Sequence, residues 1–364
     1  MLSGSTLKRW LLLLPCSLLL VLGTAQKYSN EFLSIGVGAK AQALGGAVVA
    51  GIDDVTAGAW NPAGLAALRA DQGLQLGAMH AEWFAGVGKF DFIGMSLPMG
   101  NGDRRFGLSF IRFGIDGIPN TLSLYEEDGT VNFDNVTEFS SADYAFIGTY
   151  ARRIEKGNGQ LLYGGNVKVV HRKIGPFANS WGFGADLGLQ YHVGNWQFGA
   201  LAKDITTTFN AWSFSFTEDQ KEVLALTNND IPINSIEITK PQLILGAGYR
   251  MDLGNAGLRP ELDFIITTDG RRNTLVSSDP FSIDPALGLE FDYRDFLFIR
   301  GGVSQFQRET DFMNEEQLTT RPSLGIGLKI SKLYVDYAFS DIGDQESRFS
   351  HIISLKLDIV PKQP

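Results

Sequence analysis

Residues 36–68 read GVGAKAQALGGAVVAGIDDVTAGAWNPAGLAAL, and this stretch sets the expectation for the whole chain. Its apolar side chains are small, mostly Ala, Gly and Val, and Trp60 is the one aromatic residue. Small side chains suit a segment threaded through a confined space, because they let one backbone approach another closely. Beyond Leu68 the sequence becomes aromatic and alternating. We therefore predict a plug of about 40 residues, followed by a β-barrel that closes around it.

The alternation is clearest over residues 180–192, SWGFGADLGLQYH. One face is apolar with an aromatic residue at each end, and the other is polar or bare. In a soluble sheet the apolar face would be core, whereas in a membrane barrel it would face lipid and the polar face would line the lumen. Residues 284–293, 321–330, 333–339 and 348–359 repeat the pattern. Their charges lie opposite the apolar face, which matters because a basic side chain at mid-membrane costs roughly 2–4 kcal/mol.

The connections between strands distinguish a membrane barrel from a soluble sandwich. We count fourteen alternating segments, and the gaps between them differ systematically in length. Gaps at one end are tight and carry hairpin residues such as Asn-Gly. Those at the other end tend to be long, notably residues 114–138, 204–240, 269–283 and 306–320. The sequence thus predicts an all-β fold: a 14-stranded antiparallel transmembrane β-barrel over residues 71–360, with an N-terminal hatch of residues 26–70 inside its lumen.

An export signal is predicted over residues 1–25. Lys8 and Arg9 precede an apolar run, residues 10–22, and cleavage is expected after Ala25. The chain's single cysteine, Cys16, lies within this signal, so the mature chain is predicted to have neither a disulfide framework nor a thiol nucleophile. The formal net charge of −9 disfavours nucleic acid as a partner.

No catalytic or metal-binding pattern stands out. The four histidines, His80, His171, His192 and His351, are scattered among strands without metal-ligand spacing, and we expect them at interface or lumen positions. The sequence has no Gly-x-Ser-x-Gly elbow. We therefore predict no enzymatic activity, no cofactor and no metal site.

Several elements of the hatch stretch resemble the N-terminal signature of the PorV/PorQ family. These elements are Gly38-Ala39, Leu44-Gly45-Gly46-Ala47, Asp53-Asp54 and Trp60-Asn61-Pro62-Ala63-Gly64-Leu65. The family comprises outer-membrane barrels linked to the type IX (Por) secretion system of Bacteroidota. The Asn-Pro-Ala element is also similar to the hatch motif of FadL-type fatty-acid channels, the wider superfamily. Membership would imply fourteen strands, a hatch inside the barrel and a place in the outer membrane of a Gram-negative bacterium.

The hatch motif also has a physical interpretation. Asn61 precedes a proline, so it is expected outside the helical region, where its side chain can cap a short turn that begins at Pro62. Asp53 and Asp54 are expected to cap a turn or to pair with lumenal Lys or Arg. Either these residues only hold the plug in place, or hatch movement opens a lateral or axial path. The candidate hatch residues are Gly45, Gly46, Asp53, Asp54, Trp60, Asn61, Pro62 and Gly64.

Two long loops are the candidate partner-binding surface. The first is residues 114–138, where Gly-Ile-Pro-Asn-Thr-Leu at 117–122 resembles the PorV branch, and the second is residues 204–240. Aromatic residues alternate with polar ones inside the second loop, and they fit a β-extension, loop packing or an aromatic binding surface. The candidate contact residues are Ile118, Pro119, Leu122, Tyr125, Phe209, Trp212, Phe214 and Phe216.

Three functions remain open from the sequence. The resemblance implies an outer-membrane component of type IX secretion, with outer-membrane lipid, secreted cargo and translocon or attachment-complex proteins as partners. The alternatives are a FadL-like channel for hydrophobic small molecules and a purely structural barrel. The channel predicts an apolar pocket between hatch and wall, whereas the secretion role predicts a well-plugged lumen with an apolar patch on the extracellular loops.

Overall fold

The computed structural model describes residues 29–83, 86–126, 128–310, 316–341 and 349–360, so the predicted export signal lies outside the described residues. Strands dominate these residues. In chain order they are β1 (Leu74–Trp83), β2 (Gly88–Met99), β3 (Arg104–Asn120), β4 (Thr137–Lys156), β5 (Gly159–Ile174), β6 (Ala178–Val193), β7 (Trp196–Lys203), β8 (Phe209–Phe214), β9 (Ser235–Ile238), β10 (Gln242–Tyr249), β11 (Met251–Asp252), β12 (Ala256–Thr267), β13 (Val276–Ser277), β14 (Ser282–Tyr293), β15 (Leu297–Thr310), β16 (Glu316–Ile330), β17 (Leu333–Asp341) and β18 (Phe349–Ile359).

All of these strands belong to one antiparallel sheet, which closes where β1 pairs with β18. The wall passes directly from β7 to β10, because these two strands pair with each other. Short segments prolong wall strands: β8 and β9 form a pair above β7 and β10, β11 continues β10, and β13 lies beside β14. Within the described residues the wall therefore has fourteen strands, which confirms the predicted barrel.

Connection length differs between the two ends, as predicted. The β6–β7 and β16–β17 turns have two residues each, and left-handed backbone at Gly194 and Ser331 suits such hairpins. One predicted boundary is wrong, since β3 runs to Asn120 and leaves Ile118 and Pro119 on a strand rather than in the 114–138 loop. The ladder resumes there after a bulge between Ile115 and Ile118, where Gly117 adopts a positive φ of 68°.

The two faces of the wall invert the arrangement of a soluble protein. On β6, Trp181 and Leu187 point outward and are exposed, whereas Asp186 and Gln190 point inward and are buried. Near the short-turn end, Trp196 packs against Phe198 and Tyr249 on the outside. Large apolar groups outside, aromatic residues towards the ends and polar groups inside are the organisation of a barrel that faces lipid. No helix among the described residues is long and apolar enough to cross a membrane.

The segment that precedes β1, residues 29–72, is termed the hatch segment below. Its residues are mostly buried, and they contact inward-facing groups of several strands around the wall. The small side chains noted in the sequence allow this fit. Its helices are short: Glu31–Leu33, Ala39–Ala43, Ala57–Trp60, Pro62–Ala67 and Ala70–Gln72, and the only others described are Phe133–Asn135 and Glu218–Leu226 in the long loops.

Candidate functional site

The predicted hatch motif forms tight local structure. Asn61 is extended, with φ −149° and ψ 108°, and its Oδ1 accepts from the Ala63 amide at 3.2 Å to cap the 3₁₀ turn that begins at Pro62. The Asn61 Nδ2 donates to the carbonyls of Val49, at 2.8 Å, and Leu189, at 3.1 Å. This fully buried side chain therefore ties the turn both to the hatch segment and to β6. The predicted cap at Asn61 is confirmed.

Glycines on both sides of the contact let hatch backbone lie against wall backbone. Gly45 and Gly46 have φ of 65° and 79°, a region that favours glycine. A Cβ at Gly45 would come within 2.9 Å of the Val303 amide nitrogen on β15. Inward-facing glycines of the wall likewise leave room for the hatch backbone, since a Cβ at Gly199 would collide with the carbonyl of Val49. The bare face seen in the strand sequences is therefore a docking surface for the hatch segment.

The other predicted hatch residues also pack within the motif. The Trp60 indole Nε1 donates to the carbonyl of Val37 at 2.7 Å, and the ring lies beside Gly36 and Gly46. Gly64 lies under the carbonyl of Ile52, where a Cβ would collide. These contacts hold successive turns of the hatch segment together.

Two carboxylates of β12 cradle the middle of the hatch segment. Asp263 Oδ2 accepts from the amides of residues 48 and 49, at 2.8 and 2.9 Å. Glu261 Oε1 accepts from those of residues 50 and 51, at 2.7 and 3.0 Å. Four consecutive amides thus use two buried side chains as acceptors. Sequence reasoning missed both residues, although charges at alternate positions from Arg259 to Asp263 were a usable signal of an inward face.

Asp53 and Asp54 form ion pairs, as one of their predicted roles required. Lys356 Nζ on β18 lies 2.7 Å from Asp54 Oδ2 and 3.4 Å from a carboxylate oxygen of Asp336. Lys40 Nζ contacts Asp53 Oδ1 at 2.6 Å. Burial alone would raise the pKa of the Asp54 carboxyl, but Lys356 and Lys40 outweigh it and hold the pKa below the ordinary 3.8. The hatch segment is therefore fastened to the wall by buried opposite charges.

The same network continues around the wall. Arg300 donates to Asp336 and to Glu290, both at 2.6 Å. Glu290 also contacts Arg259 at 3.0 Å. All four side chains are buried. Breaking such a pair on one side leaves an uncompensated buried charge, so the network rigidifies this part of the lumen.

Two large cavities flank the hatch segment, and their described linings share no residue. The cavity near the short-turn end, termed the charged chamber, has a volume of about 430 Å³ and is lined by ion-paired residues such as Lys329, Arg250 and Glu290. Its counterpart near the long-loop end, termed the outer cavity, has a volume of about 670 Å³. Apolar side chains form much of its floor, and Lys203 and Arg271 lie among its polar residues; the apolar group is Leu33, Trp60, Leu201, Ile244 and Ile265.

Between these cavities the lumen is packed. Aromatic and aliphatic residues of β1–β5 pack against the hatch segment around Phe90, Ile111 and Ile147, where a small void of about 20 Å³ adjoins the outer cavity. The apolar pocket that a channel predicts is therefore present at one end and does not run through the described lumen.

A small crevice joins the outer cavity to the wall. It lies where β7 ends at Lys203, β10 begins at Gln242 and β12 ends at Thr267, and it shares Leu33 and Arg272 with the outer cavity. Ser29, Asn30 and Glu31, at the start of the hatch segment, also line it.

Polar contacts clamp the start of the hatch segment to the β8–β9 pair. Asn210 Nδ2 donates to the Ser29 hydroxyl at 2.6 Å and to Asn30 Oδ1 at 2.9 Å. Asn30 in turn donates to Thr239 Oγ1 at 3.1 Å. These residues are termed the N-terminal clamp below. They connect the hatch segment to the second long loop.

The predicted partner-binding aromatics of this loop mostly pack against neighbours. Trp212 is buried beneath Arg172, whose guanidinium lies 5.1 Å from the ring centroid. Phe214 stacks on Phe216 at 6.4 Å, and Phe209 is exposed on the outer face of β8. Packing and a β-extension therefore both occur. In the first loop, Leu122 is half-buried and Tyr125 is exposed.

Solved structures identify the fold, although no family model and no curated protein sequence matches the chain. The toluene transporter TodX of Pseudomonas putida superimposes with a TM-score of 0.56 at 14% identity, over 92% of this chain and 100% of that one. The CymD monoaromatic hydrocarbon channel gives 0.53 at 13%, over 90% and 99%. A Pseudomonas aeruginosa FadL homologue gives 0.51 at 13%, over 88% and 98%. The fold is that of a FadL-like outer-membrane barrel.

The predicted FadL-like barrel is thus confirmed, while the type IX assignment remains a prediction that rests on the sequence resemblance.

Proposed function

We propose that the protein is an outer-membrane channel for small hydrophobic compounds, with the outer cavity as its binding site. The observation that supports this most directly is the cavity itself. Its volume of about 670 Å³ is within the range of ligand sites, and its apolar floor lies beneath polar residues at the long-loop end. A compound arriving from outside would leave water for Leu201, Ile244 and Ile265 without first displacing the hatch segment.

The charged chamber makes an axial exit unfavourable for an apolar compound. Such a compound would have to pass the ion pairs of Asp54, Glu290 and Asp336, whose separation is costly. The crevice at the rim offers a shorter path, because it already adjoins the outer cavity and the start of the hatch segment lines it. The β10–β12 ladder is continuous from Gln242 to Gly248, so this path leaves the barrel above Gln242. We therefore propose a lateral route, with movement of the start of the hatch segment as its gate.

Uptake of radiolabelled toluene tests the channel, in cells of a host that lacks a FadL-type channel of its own. We expect faster uptake with the intact barrel than without it. Ile244→Glu places a carboxylate on the apolar floor and should lower uptake at least tenfold, whereas Ile244→Leu should preserve it. Insertion of each barrel variant is verified by its heat-modifiable gel mobility. Equal uptake by cells with and without the barrel would refute the channel.

A second candidate function is protein docking in type IX secretion, as the sequence resemblance implies. The structural observation that favours it is the set of exposed apolar side chains on the long loops, including Phe133, Leu226 and Ile233. Exposed apolar patches on loops are typical of protein-interaction sites. Deleting residues 205–240 should then abolish co-purification of translocon or cargo proteins from native membranes, whereas Asn210→Ala, which loosens only the N-terminal clamp, should leave co-purification unchanged.

A further inference from the structure

Strand β9 has one edge that no other described strand covers. It pairs with β8 on one side only, with Ile238 opposite Phe209 and Ile236 opposite Ala211. The amide of Thr239 donates to the carbonyl of Thr208 at 2.8 Å, which makes these two residues a hydrogen-bonded pair. Because antiparallel pairing alternates, the backbone amides and carbonyls of Ile236 and Ile238 point away from β8.

This edge lacks the usual protection. Natural edge strands carry Lys, Pro or a bulge to discourage further pairing. Ser235–Ile238 contains neither Lys nor Pro, although Pro232 and Pro241 limit its length. Ile236 is 72% exposed and Ile238 is 44% exposed, so the side chains beside the free backbone groups are also accessible.

The strand is nevertheless held firmly on its inner face. Glu237 lies 3.7 Å from Arg172 and 3.5 Å from the Ser29 hydroxyl, on the side of the N-terminal clamp. An added strand would therefore meet a fixed template and would not have to order it first, which lowers the entropic cost of binding.

The charge of the surrounding loop indicates which segment would fit. Residues 205–240 contain five acidic and two basic side chains. Glu218 and Asp219 begin the exposed helix Glu218–Leu226, and the Glu218 side chain is 88% exposed. A positively charged segment would be attracted to this surface and a negatively charged one repelled.

We propose that β9 accepts an extended, positively charged segment of a partner protein, which adds a strand to the barrel's outer rim. The added strand hydrogen-bonds to Ile236 and Ile238, and its alternate apolar side chains pack beside those isoleucines. This inference deepens the docking function proposed above, on which it rests, and is independent of the channel. It specifies backbone pairing, rather than aromatic contacts through Trp212 or Phe214, as the mode of recognition.

A labelled peptide tests the edge directly. The probe is one fluorescein-labelled synthetic decapeptide, with valine at every second position and threonine and lysine at the positions between. It is added to the purified full-length barrel in detergent, and binding is followed by the fluorescence anisotropy of the label. Ile236→Pro removes the outward-pointing amide and leaves the hydrogen bonds to β8 in place, since that amide is not used for them. We expect at least tenfold weaker binding to Ile236→Pro than to wild type, and unchanged binding to the matched control Ile236→Val.

A second probe keeps the test independent of protein folding. The same peptide with N-methyl groups on alternate valines cannot pair through one edge, and it should bind wild type at least tenfold more weakly. Equal binding of both peptides, or of wild type and Ile236→Pro, would overturn the proposal. A dimer of the barrel that Ile236→Pro dissociates would assign the edge to a second copy and would also overturn it.

Co-purification separates failure of this inference from failure of the docking function. If deleting residues 205–240 abolishes partner capture while Ile236→Pro does not, docking stands and recognition through β9 is refuted. If the deletion leaves partner capture intact, the docking function itself is refuted.

Discussion

The two ends of the lumen hold the hatch segment in opposite ways. In the charged chamber, a buried ion pair joins Asp54 to Lys356 of the wall, and the more exposed Asp53 contacts Lys40 within the hatch segment. At the outer cavity no ion pair is described for the start of the segment; the N-terminal clamp holds it through hydrogen bonds of Asn210 and Thr239, and Phe32 packs in the apolar core. The net free energy that one neutral hydrogen bond contributes to stability is less than half of the free energy lost when a buried ion pair loses one partner. The molecule is thus fastened firmly at the short-turn end and lightly where a ligand would enter.

The largest loss of hatch stability is expected from removing the Lys356 cation in the charged chamber. Lys356→Met leaves Asp54 buried without its main partner, which should loosen the hatch segment by roughly 3–5 kcal/mol. Hydrogen exchange of the amides of residues 48–57 should then speed up strongly while the strands stay protected. The exchanged pair Asp54→Lys with Lys356→Asp should recover part of the protection. Unchanged protection in Lys356→Met would contradict a role for the charge pair, and so would a failure of the exchanged pair to restore any protection.

Acid should weaken the same pair by protonating Asp54. The pKa of the Asp54 carboxyl is lowered in the folded protein, so its contribution is fully present above the ordinary pKa of 3.8 and is lost as pH falls through the lower folded value. Hatch protection should therefore hold from pH 7 to pH 5 and decline only in stronger acid. Asp54→Asn should remove this decline, and a loss that already occurs near pH 6 would show that another group controls the hatch.

Removing one carboxylate of the cradle should have an intermediate effect. Glu261→Ala removes the carboxylate that accepts from the amides of residues 50 and 51, at a cost of about 1–3 kcal/mol, and leaves Gly51 only its longer bond to the Val48 carbonyl. Exchange at these two amides should rise more than at residues 48 and 49, which Asp263 holds. Glu261→Gln keeps an acceptor oxygen and should preserve most of the protection. A uniform rise over the whole hatch would mean that the cradle is not local.

The smallest effect is expected at the lightly held end. Asn210→Ala removes both clamp hydrogen bonds to Ser29 and Asn30, which should cost about 1–2 kcal/mol. Its consequence should be confined to residues 29–34 and should accelerate toluene uptake if the clamp closes the crevice. The outward-facing control Ala211→Ser should change neither quantity. Global loss of hatch protection in Asn210→Ala would eliminate the contrast between the two ends.

Features that depend on local sequence were predictable, and features that join distant residues were not. The cap at Asn61, the bends at Gly45 and Gly46 and the alternation of the strands follow from short-range backbone rules. The cradle joins residues more than 200 positions apart, so no local pattern specifies that Glu261 serves residues 50 and 51. The clamp between Asn210 and Asn30 is equally distant.

The error at Ile118 and Pro119 has a local cause. The predicted alternating segment ends at Phe113, but a bulge lets the antiparallel ladder continue to Asn120. The charged residues of the strands were assigned correctly to the lumen face. Their pairing into one network with the hatch segment required the three-dimensional register, since Lys356 and Asp54 lie 302 positions apart.

Equilibrium binding of naphthalene to the purified barrel, followed by quenching of tryptophan fluorescence, tests the central contrast most directly. Two variants are compared with wild type: Ile244→Glu on the floor of the outer cavity and Lys329→Gln in the charged chamber. The proposed site predicts at least tenfold weaker binding in Ile244→Glu and unchanged binding in Lys329→Gln. Binding that survives Ile244→Glu but is lost in Lys329→Gln would place the ligand in the charged chamber and contradict the proposed site in the outer cavity.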